Sequence, residues 1–190
     1  MMSDALELAG LKVVNIDNKT KNTLSELLPL SASVNNPVDV LGDADSKRYG
    51  NSLKAVLESK SVDGVIVILT PQKMTDDKAI ASEIVKISNK YSKPVMTCFM
   101  GAETVKDGIN ILRENHIPQY SVPERAAKSM CEMVKYSKYK SRPLRIIERF
   151  AVNKNPVVKI IKSYRSRNLI EIGEFDAKTI MESYGMTIHK

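Results

Sequence analysis

The chain has 190 residues, with 29 Lys and Arg against 22 Asp and Glu, and a formal net charge of +7. This length is enough for one domain with a sizeable core and an appendage. No stretch approaches the roughly 18–20 apolar residues of a membrane-spanning helix, and the opening MMSDALELAG lacks the features of a signal peptide, so we expect a cytoplasmic protein with no membrane partner.

Strands and helices are predicted to alternate along residues 1–136. Gly10 ends the first helix, and Val65–Leu69 is a continuous apolar run, as expected for a strand buried on both faces. The predicted strands are Leu11–Ile16, Val65–Leu69, Lys93–Met100 and His116–Ser121. The predicted helices are 1–9, 20–28, 46–58, 103–115 and 123–136. A further helix is predicted after the second strand, with Ile80, Ile84 and Ile87 on its inner face.

This alternation predicts an α/β fold with a flavodoxin-like, doubly wound parallel sheet. Such a domain normally opens with a strand, whereas this chain opens with a helix, so the sheet is predicted to lack its first strand. A slot should then remain beside Leu11–Ile16 and Val65–Leu69. Because unpaired buried backbone groups are costly, the slot should be exposed to solvent or filled by another chain, including a second copy in a homo-oligomer.

The charge belongs to one segment. Residues 1–133 carry 16 basic and 17 acidic side chains, and residues 134–170 carry 11 basic side chains against Glu148 alone. We therefore predict a flavodoxin-like domain at 1–136, a basic linker at 137–170 with a helix around Val157–Tyr164, and a short tail at 171–190. The tail should form a helix over 174–184, end at Gly185 and continue as a strand-like 186–189. No nucleic-acid module accompanies the basic run, so a nucleic-acid partner is disfavoured.

The turn after Val65–Leu69 is the best candidate site, because ligands of open α/β sheets bind at the carboxyl ends of the strands. Its residues are Thr70, Pro71, Gln72, Lys73, Met74 and Thr75. If Thr70 caps the next helix and Pro71 is its first residue, free N–H groups there would bind an anion. In the alternative, the helix starts at Thr75, Asp76 and Asp77 satisfy its dipole, and 70–74 is an ordinary loop.

A second polar loop, with Asn36, Asp39 and Gly42, is predicted at the same edge. It would be a second wall of the pocket or, equally, an Asx turn that caps the next helix.

The other reactive residue types are interpreted as structural. The acid pairs Asp43/Asp45 and Asp76/Asp77 are interpreted as caps, the 101–103 turn as structural, and His116 and His189 as non-catalytic. Cys98 and Cys131 lack metal-ligand spacing and are interpreted as buried thiols, so no metal site and no catalytic residue are predicted.

Four segments, in order, resemble the NDP-forming acyl-CoA synthetases, which include ADP-forming acetyl-CoA synthetase and are relatives of succinyl-CoA synthetase. They are NNPVDVLGDAD, VDGVIVILTPQKMTD, KPVMTCFMGAETVKDGINIL and IPQYSVPERAAKSM. The resemblance identifies residues 1–140 as the second flavodoxin-like ligase domain. EFDAKTIMESYGMTI resembles the opening of the family's ATP-grasp domain, and the basic stretch resembles its interdomain linker.

The resemblance implies the reaction acyl-CoA + ADP + phosphate ⇌ acid + ATP + CoA, with CoA, ADP or ATP and Mg bound by the complete enzyme. It implies that 70–75 faces a phosphohistidine carried in a Ser-His-Thr-Gly context, which neither histidine of this chain has. We therefore expect no cofactor and no activity for the isolated chain, and partners that are the remaining domains or subunits of a synthetase. The alternative is a non-catalytic binding or scaffold module, or the remnant of a split synthetase gene.

Overall fold

A computed structural model describes residues 2–143 and 152–188. The chain divides into two compact units, Met1–Arg142 and Pro143–Lys190. None of the helices in the described residues is both long and apolar enough to cross a membrane.

The first unit alternates helices and strands. In chain order its elements are α1 (Met2–Leu8), α2 (Asn18–Leu27), α3 (Ser46–Glu58), β1 (Val65–Leu69), α4 (Asp77–Ser88), β2 (Val95–Phe99), a 3₁₀ turn (Ala102–Val105), α5 (Lys106–Glu114), β3 (Gln119–Tyr120) and α6 (Pro123–Lys140). The strands form one parallel sheet in the order β1-β2-β3, with Val65 opposite Val95 and Leu69 opposite Phe99. The predicted α/β class and parallel sheet are confirmed.

The main core lies where α4 packs on the central strands. Ile80, Ile84 and Ile87 are buried on the inner face of α4, as their spacing predicted. Every residue of β2 is buried, which agrees with its largely apolar sequence, and its one polar side chain, Thr97, donates its hydroxyl to the Pro118 carbonyl. This core fixes the carboxyl ends of β1 and β2 beside each other.

The predicted strand at Leu11–Ile16 is wrong. These residues have no strand pairing, and the described sheet has three strands instead of four. The segment ends at Asp17, whose carboxylate accepts a hydrogen bond from the Ser59 hydroxyl, at the edge of the sheet where β1 begins. A strand parallel to β1 would instead end at the edge of the sheet where β1 ends. The direction of this segment therefore does not fit such a strand, and an apolar sequence alone does not make it one.

A second, smaller core lies on α3. It consists of the buried Ile16, Leu24, Leu28 and Ala55, with the valines of the 34–40 loop packed against it. The segment after α1 and the polar loop are therefore anchored through α2 and α3.

Several predicted boundaries differ. His116–Ser121 shortens to a strand of two residues, because His116 still belongs to the turn that ends α5, with φ at 60° and its N–H on the Arg113 carbonyl. The last helix of the first unit extends beyond Tyr136 to Lys140.

The second unit is a helical pair, α7 (Lys154–Ser166) and α8 (Glu174–Ser183). The Tyr164 hydroxyl donates to Asp176 at 2.8 Å and accepts from the Gly173 N–H at 3.1 Å, which fixes the start of α8. Gly185, with φ at 79°, ends the tail helix as predicted. Residues 186–188 form no strand, and His189 lies outside the described residues. The three-part division of the chain stays a prediction.

Gly108→Ala should destabilise the first unit by about 1–3 kcal/mol, because overpacking a tight contact costs that much. A Cβ on Gly108 would lie 2.7 Å from the Asp77 backbone oxygen, and neither backbone can move freely. The matched control is Gly50→Ala, where the Cβ would lie 2.5 Å from the Glu83 Cγ, a side-chain atom that rotation of Glu83 can move, and where alanine favours the helix. Urea unfolding measures both, and equal losses would show that the α4–α5 approach is not tight.

Asp17→Ala should destabilise the protein at neutral pH and have little effect at pH 2. The Ser59 hydroxyl and then the Thr20 N–H lower the pKa of Asp17 from its ordinary value of 3.8 to about 2. A lowered native pKa stabilises the fold above pH 3.8, and this contribution disappears as the pH falls from 3.8 towards 2. Urea midpoints across this range check it, with Asp63→Ala as the exposed control; a difference independent of pH would contradict it.

Candidate functional site

The turn after β1 closes on itself. The Gln72 N–H donates to the Thr75 hydroxyl at 2.8 Å, and the Thr75 N–H donates to the Gln72 carbonyl at 3.0 Å. Two of the N–H groups that were expected to face a ligand are therefore occupied within the turn. Lys73 and Met74 form its exposed tip.

The helix start differs from the favoured expectation. α4 begins at Asp77, and its cap is Asp76, whose carboxylate accepts from the Ala79 N–H at 3.0 Å. Thr70 does not cap this helix and Pro71 is not its first residue. The aspartate at 76 is a stronger N-cap than Thr70, six residues earlier in the chain, because a carboxylate adds a charge to the hydrogen bond.

Acidic groups occupy the helix start. Asp77 accepts the Gly108 N–H at 2.6 Å, and Lys78 pairs with Asp107 at 2.7 Å. This hydrogen-bonded ion pair lowers the pKa of Asp107 and raises that of Lys78. Asp76 thus accepts an N–H group at the start of α4, and Asp77 accepts one at the start of α5, in line with their interpretation as caps. The charge of both carboxylates disfavours an anion at the first turn of α4.

The second polar loop reaches the turn at one point. A Cβ on Gly42 would lie 3.4 Å from the Gln72 side chain, so Gly42 lies directly against the candidate site. Asp39 closes an Asx turn by accepting the Leu41 N–H at 2.9 Å. Asn36 is held away, since its side-chain amide donates to the Val14 carbonyl at 2.9 Å.

The acids that follow this loop are structural. Asp45 caps α3 by accepting the Arg48 N–H at 2.8 Å, and Asp43 forms an ion pair with Arg48 at 2.7 Å. The Arg48 hydrogen bond lowers the pKa of Asp43. The interpretation of Asp43 and Asp45 as capping and turn residues is supported by these contacts.

The turn after β2 packs on the turn after β1. Gly101 has φ at 110°, and a Cβ there would lie 2.7 Å from the Pro71 ring. The Met100 N–H donates to the Leu69 carbonyl at 2.9 Å, which extends the β1–β2 pairing into these turns. The structure therefore brings together Pro71, Gln72, Gly42 and Gly101 at the carboxyl edge of the sheet.

Tyr49 is the residue that the sequence did not identify. It lies on α3, and its hydroxyl donates to the Ile68 carbonyl at 3.3 Å. Burial, and then the Asp39 charge, raise the pKa of Tyr49 to about 12. Periodicity places an aromatic ring inward but gives no information about where its hydroxyl ends.

The reactive residue types do not gather at this edge. No group of three or more His, Cys, Asp and Glu side chains in the described ranges 2–143 and 152–188 could hold a metal ion. Cys98 and Cys131 are both free and buried, as predicted. A cavity of about 610 Å³ lies elsewhere, lined by α2 and the end of α3.

Residues 1–142 match the model of the Ligase-CoA domain. The chain belongs to this family. It is 31% identical over 189 residues to the ADP-forming 4-hydroxybutyrate–CoA ligase of Nitrosopumilus maritimus. The matched region is 99% of this chain and 27% of the length of that ligase. It is also 31% identical over 190 residues to the ADP-forming acetate–CoA ligase I of Archaeoglobus fulgidus, again 27% of that protein.

Solved structures show the same fold. A dinucleotide-forming acetyl-coenzyme A synthetase 1 of Candidatus Korarchaeum cryptofilum, solved in complex with phosphate and ADP, matches 76% of this chain with a TM-score of 0.68 and 25% identity, over 32% of its own length. A Pyrococcus horikoshii structure matches 74% of this chain with a TM-score of 0.70 and 28% identity, over 33% of its length. The resemblance to ADP-forming acyl-CoA synthetases is confirmed. This Ligase-CoA chain spans about a quarter of the length of the curated relatives named above.

Proposed function

We propose that this chain is a ligase domain of an ADP-forming acyl-CoA synthetase, working in the reaction acyl-CoA + ADP + phosphate ⇌ acid + ATP + CoA. The observation that supports this most directly is the 31% identity over 189 residues to a ligase named for this chemistry. The turns gathered at the carboxyl edge of the sheet support a binding role in that reaction.

The proposed ligand is the phosphoryl group of a phosphohistidine, or free phosphate, at the turn Thr70–Thr75. Because the Asp76 and Asp77 carboxylates disfavour an anion at the helix start, the contact falls on the tip. There the backbone amides of Lys73 and Met74 have no acceptor among the described residues, and the Lys73 ammonium is exposed. The packing of Pro71 on Gly101 holds the turn in place. Gly42 is the part of the second wall that touches it, while Asn36 and Asp39 shape the loop.

The remaining chemistry belongs to partners. Relatives include a chain named as the alpha subunit of an acetate–CoA ligase in Pyrococcus furiosus, 30% identical over 144 residues. We propose that other domains or subunits carry the phosphohistidine and bind CoA, ADP or ATP, and Mg. The complete enzyme would then act in the cytoplasm, and this chain would bind and position the phosphoryl group without breaking or forming a bond itself.

The isolated chain should show no ATP formation from acetyl-CoA, ADP and phosphate, because its two histidines lie outside the phosphohistidine context. A coupled ATP assay on the purified protein checks this, with contaminating host synthetase excluded by a mock purification. Affinity purification from native cells should instead recover the activity together with a chain bearing a Ser-His-Thr-Gly histidine. A scaffold module or remnant would recover neither.

Phosphate should shift the amide NMR signals of residues 72–75, and Lys73→Ala should weaken the binding only about two- to fivefold. An exposed lysine contributes little alone, so most of the interaction should come from backbone amides. Gln72→Glu should abolish it through like-charge repulsion. The matched control is Lys90→Ala, which removes an exposed lysine at the other end of α4 and should change nothing. Shifts confined to 135–167 would show that the basic segment binds the phosphate and that 70–75 is an ordinary loop.

A further inference from the structure

The C-terminal half of α6 extends beyond the core of the first unit. Cys131 is the last buried residue of this helix, and no residue from 132 to 140 is buried. At a rise of 1.5 Å per residue, this stretch is roughly 13 Å long. The helix therefore ends in more than two turns whose side chains the described part of the chain leaves largely uncovered.

This exposed end carries positive charge with little negative charge beside it. Residues 133–142 contain no Asp or Glu and four basic side chains, Lys135, Lys138, Lys140 and Arg142. Glu132 pairs with Lys135 at 2.8 Å, and the other three cations form no ion pair with any residue that the structure describes. Their mutual repulsion falls when a polyanion binds, so the charge of this surface fits an anionic polymer.

Two tyrosine rings lie among these cations. Tyr136 and Tyr139 are three residues apart, so they are neighbours on the helix surface, and each is 67% exposed. Lys140 follows Tyr136 by four residues, and Lys135 precedes Tyr139 by four, so a lysine flanks the pair on each side. The Arg142 guanidinium lies over the Tyr139 ring, 5.6 Å from its centroid. The surface is thus an exposed aromatic pair with cations around it.

We propose that residues 132–142 bind single-stranded RNA, with bases stacked on the Tyr136 and Tyr139 rings and phosphates beside the basic side chains. Every base has a face that stacks on an aromatic ring, and each nucleotide also brings a phosphate to the cations. The two phenolic hydroxyls have no hydrogen-bond partner among the described residues. The ribose 2′-hydroxyl, which DNA lacks, supplies one.

The exposure of the rings is what the structure adds to the sequence. The sequence disfavoured a nucleic-acid partner because no recognised module accompanies the basic run, and it did not show whether the tyrosines of α6 are buried. A membrane surface fits less well, because membrane-surface helices carry an apolar face of Leu, Phe or Trp and residues 132–142 contain none of these. The proposal does not depend on the synthetase reaction.

Fluorescence anisotropy tests the proposal on the full chain, with a labelled 12-nucleotide oligouridylate as probe. An abasic strand of the same length and charge should bind about tenfold more weakly, because it keeps the phosphates and loses every stack. Three unpaired cations predict a slope of about −2 for the logarithm of affinity against the logarithm of salt concentration. Equal binding of the abasic strand would overturn the proposal, and so would equal competition by polyglutamate or by phosphatidylglycerol vesicles.

Tyr136→Ala/Tyr139→Ala should weaken the binding of oligouridylate about 25-fold, since the loss of one stack costs about fivefold at the lower end of measured values. The matched control is Tyr184→Ala, which removes a ring that is 46% exposed beside a helix end without basic residues and should change nothing. Equal losses in the two variants would show that the α6 rings are not the contact. Far-UV circular dichroism confirms that each variant keeps its fold.

Tyr136→Phe/Tyr139→Phe separates RNA from DNA, because it keeps both rings and removes both hydroxyls. The unchanged protein should bind oligouridylate about two- to fivefold more tightly than oligodeoxyuridylate. The variant should bind the deoxy strand as before and lose the preference for RNA. Equal affinity of the unchanged protein for the two strands would overturn the assignment to RNA.

Discussion

The parallel pairing of β1 with β2 is the interaction on which the candidate site depends. It runs from Val65 opposite Val95 to Leu69 opposite Phe99, and the Met100 N–H continues it into the turns. Because both strands end at the same edge, the turns that follow them must meet, and Pro71 then packs on Gly101. The α4–α5 approach at Gly108 locks the two helices that leave these turns. The position of the site therefore follows from main-chain geometry more than from any charged side chain.

The elements that could be predicted are those whose own residues determine their burial. Val65–Leu69 and the Ile80, Ile84 and Ile87 face of α4 are apolar wherever they contact the core, so sequence pattern and structure agree. Leu11–Ile16 has a similar apolar content, yet a strand also needs a neighbour to accept its hydrogen bonds, and the described residues offer none. Strand identity is a property of pairs, which is why this prediction failed while the fold class held.

The turn after β1 lies at the carboxyl edge of the sheet, as predicted, but its local geometry differs from the favoured expectation, and its role as a binding site stays a prediction. Two residues, Thr70 and Asp76, competed to cap α4. Asp76 accepts the Ala79 N–H, so α4 starts later than it would with Thr70 as its cap. Thr75 then closes the turn by bonding to Gln72. The sequence contains all of these groups, and it offered both starting points. Which donor reaches which acceptor depends on angles that the spacing of residues does not specify.

Tyr49 connects β1 with the polar loop that contains Asp39 and Gly42. Its hydroxyl donates to the Ile68 carbonyl, because a carbonyl oxygen can only accept, and burial raises the pKa of this hydroxyl to about 12. The same ring lies close enough to Asp39 for that charge to raise its pKa, and Asp39 shapes the loop that brings Gly42 against Gln72. One side chain of α3 thus contacts β1 and also lies near the loop that forms the second wall.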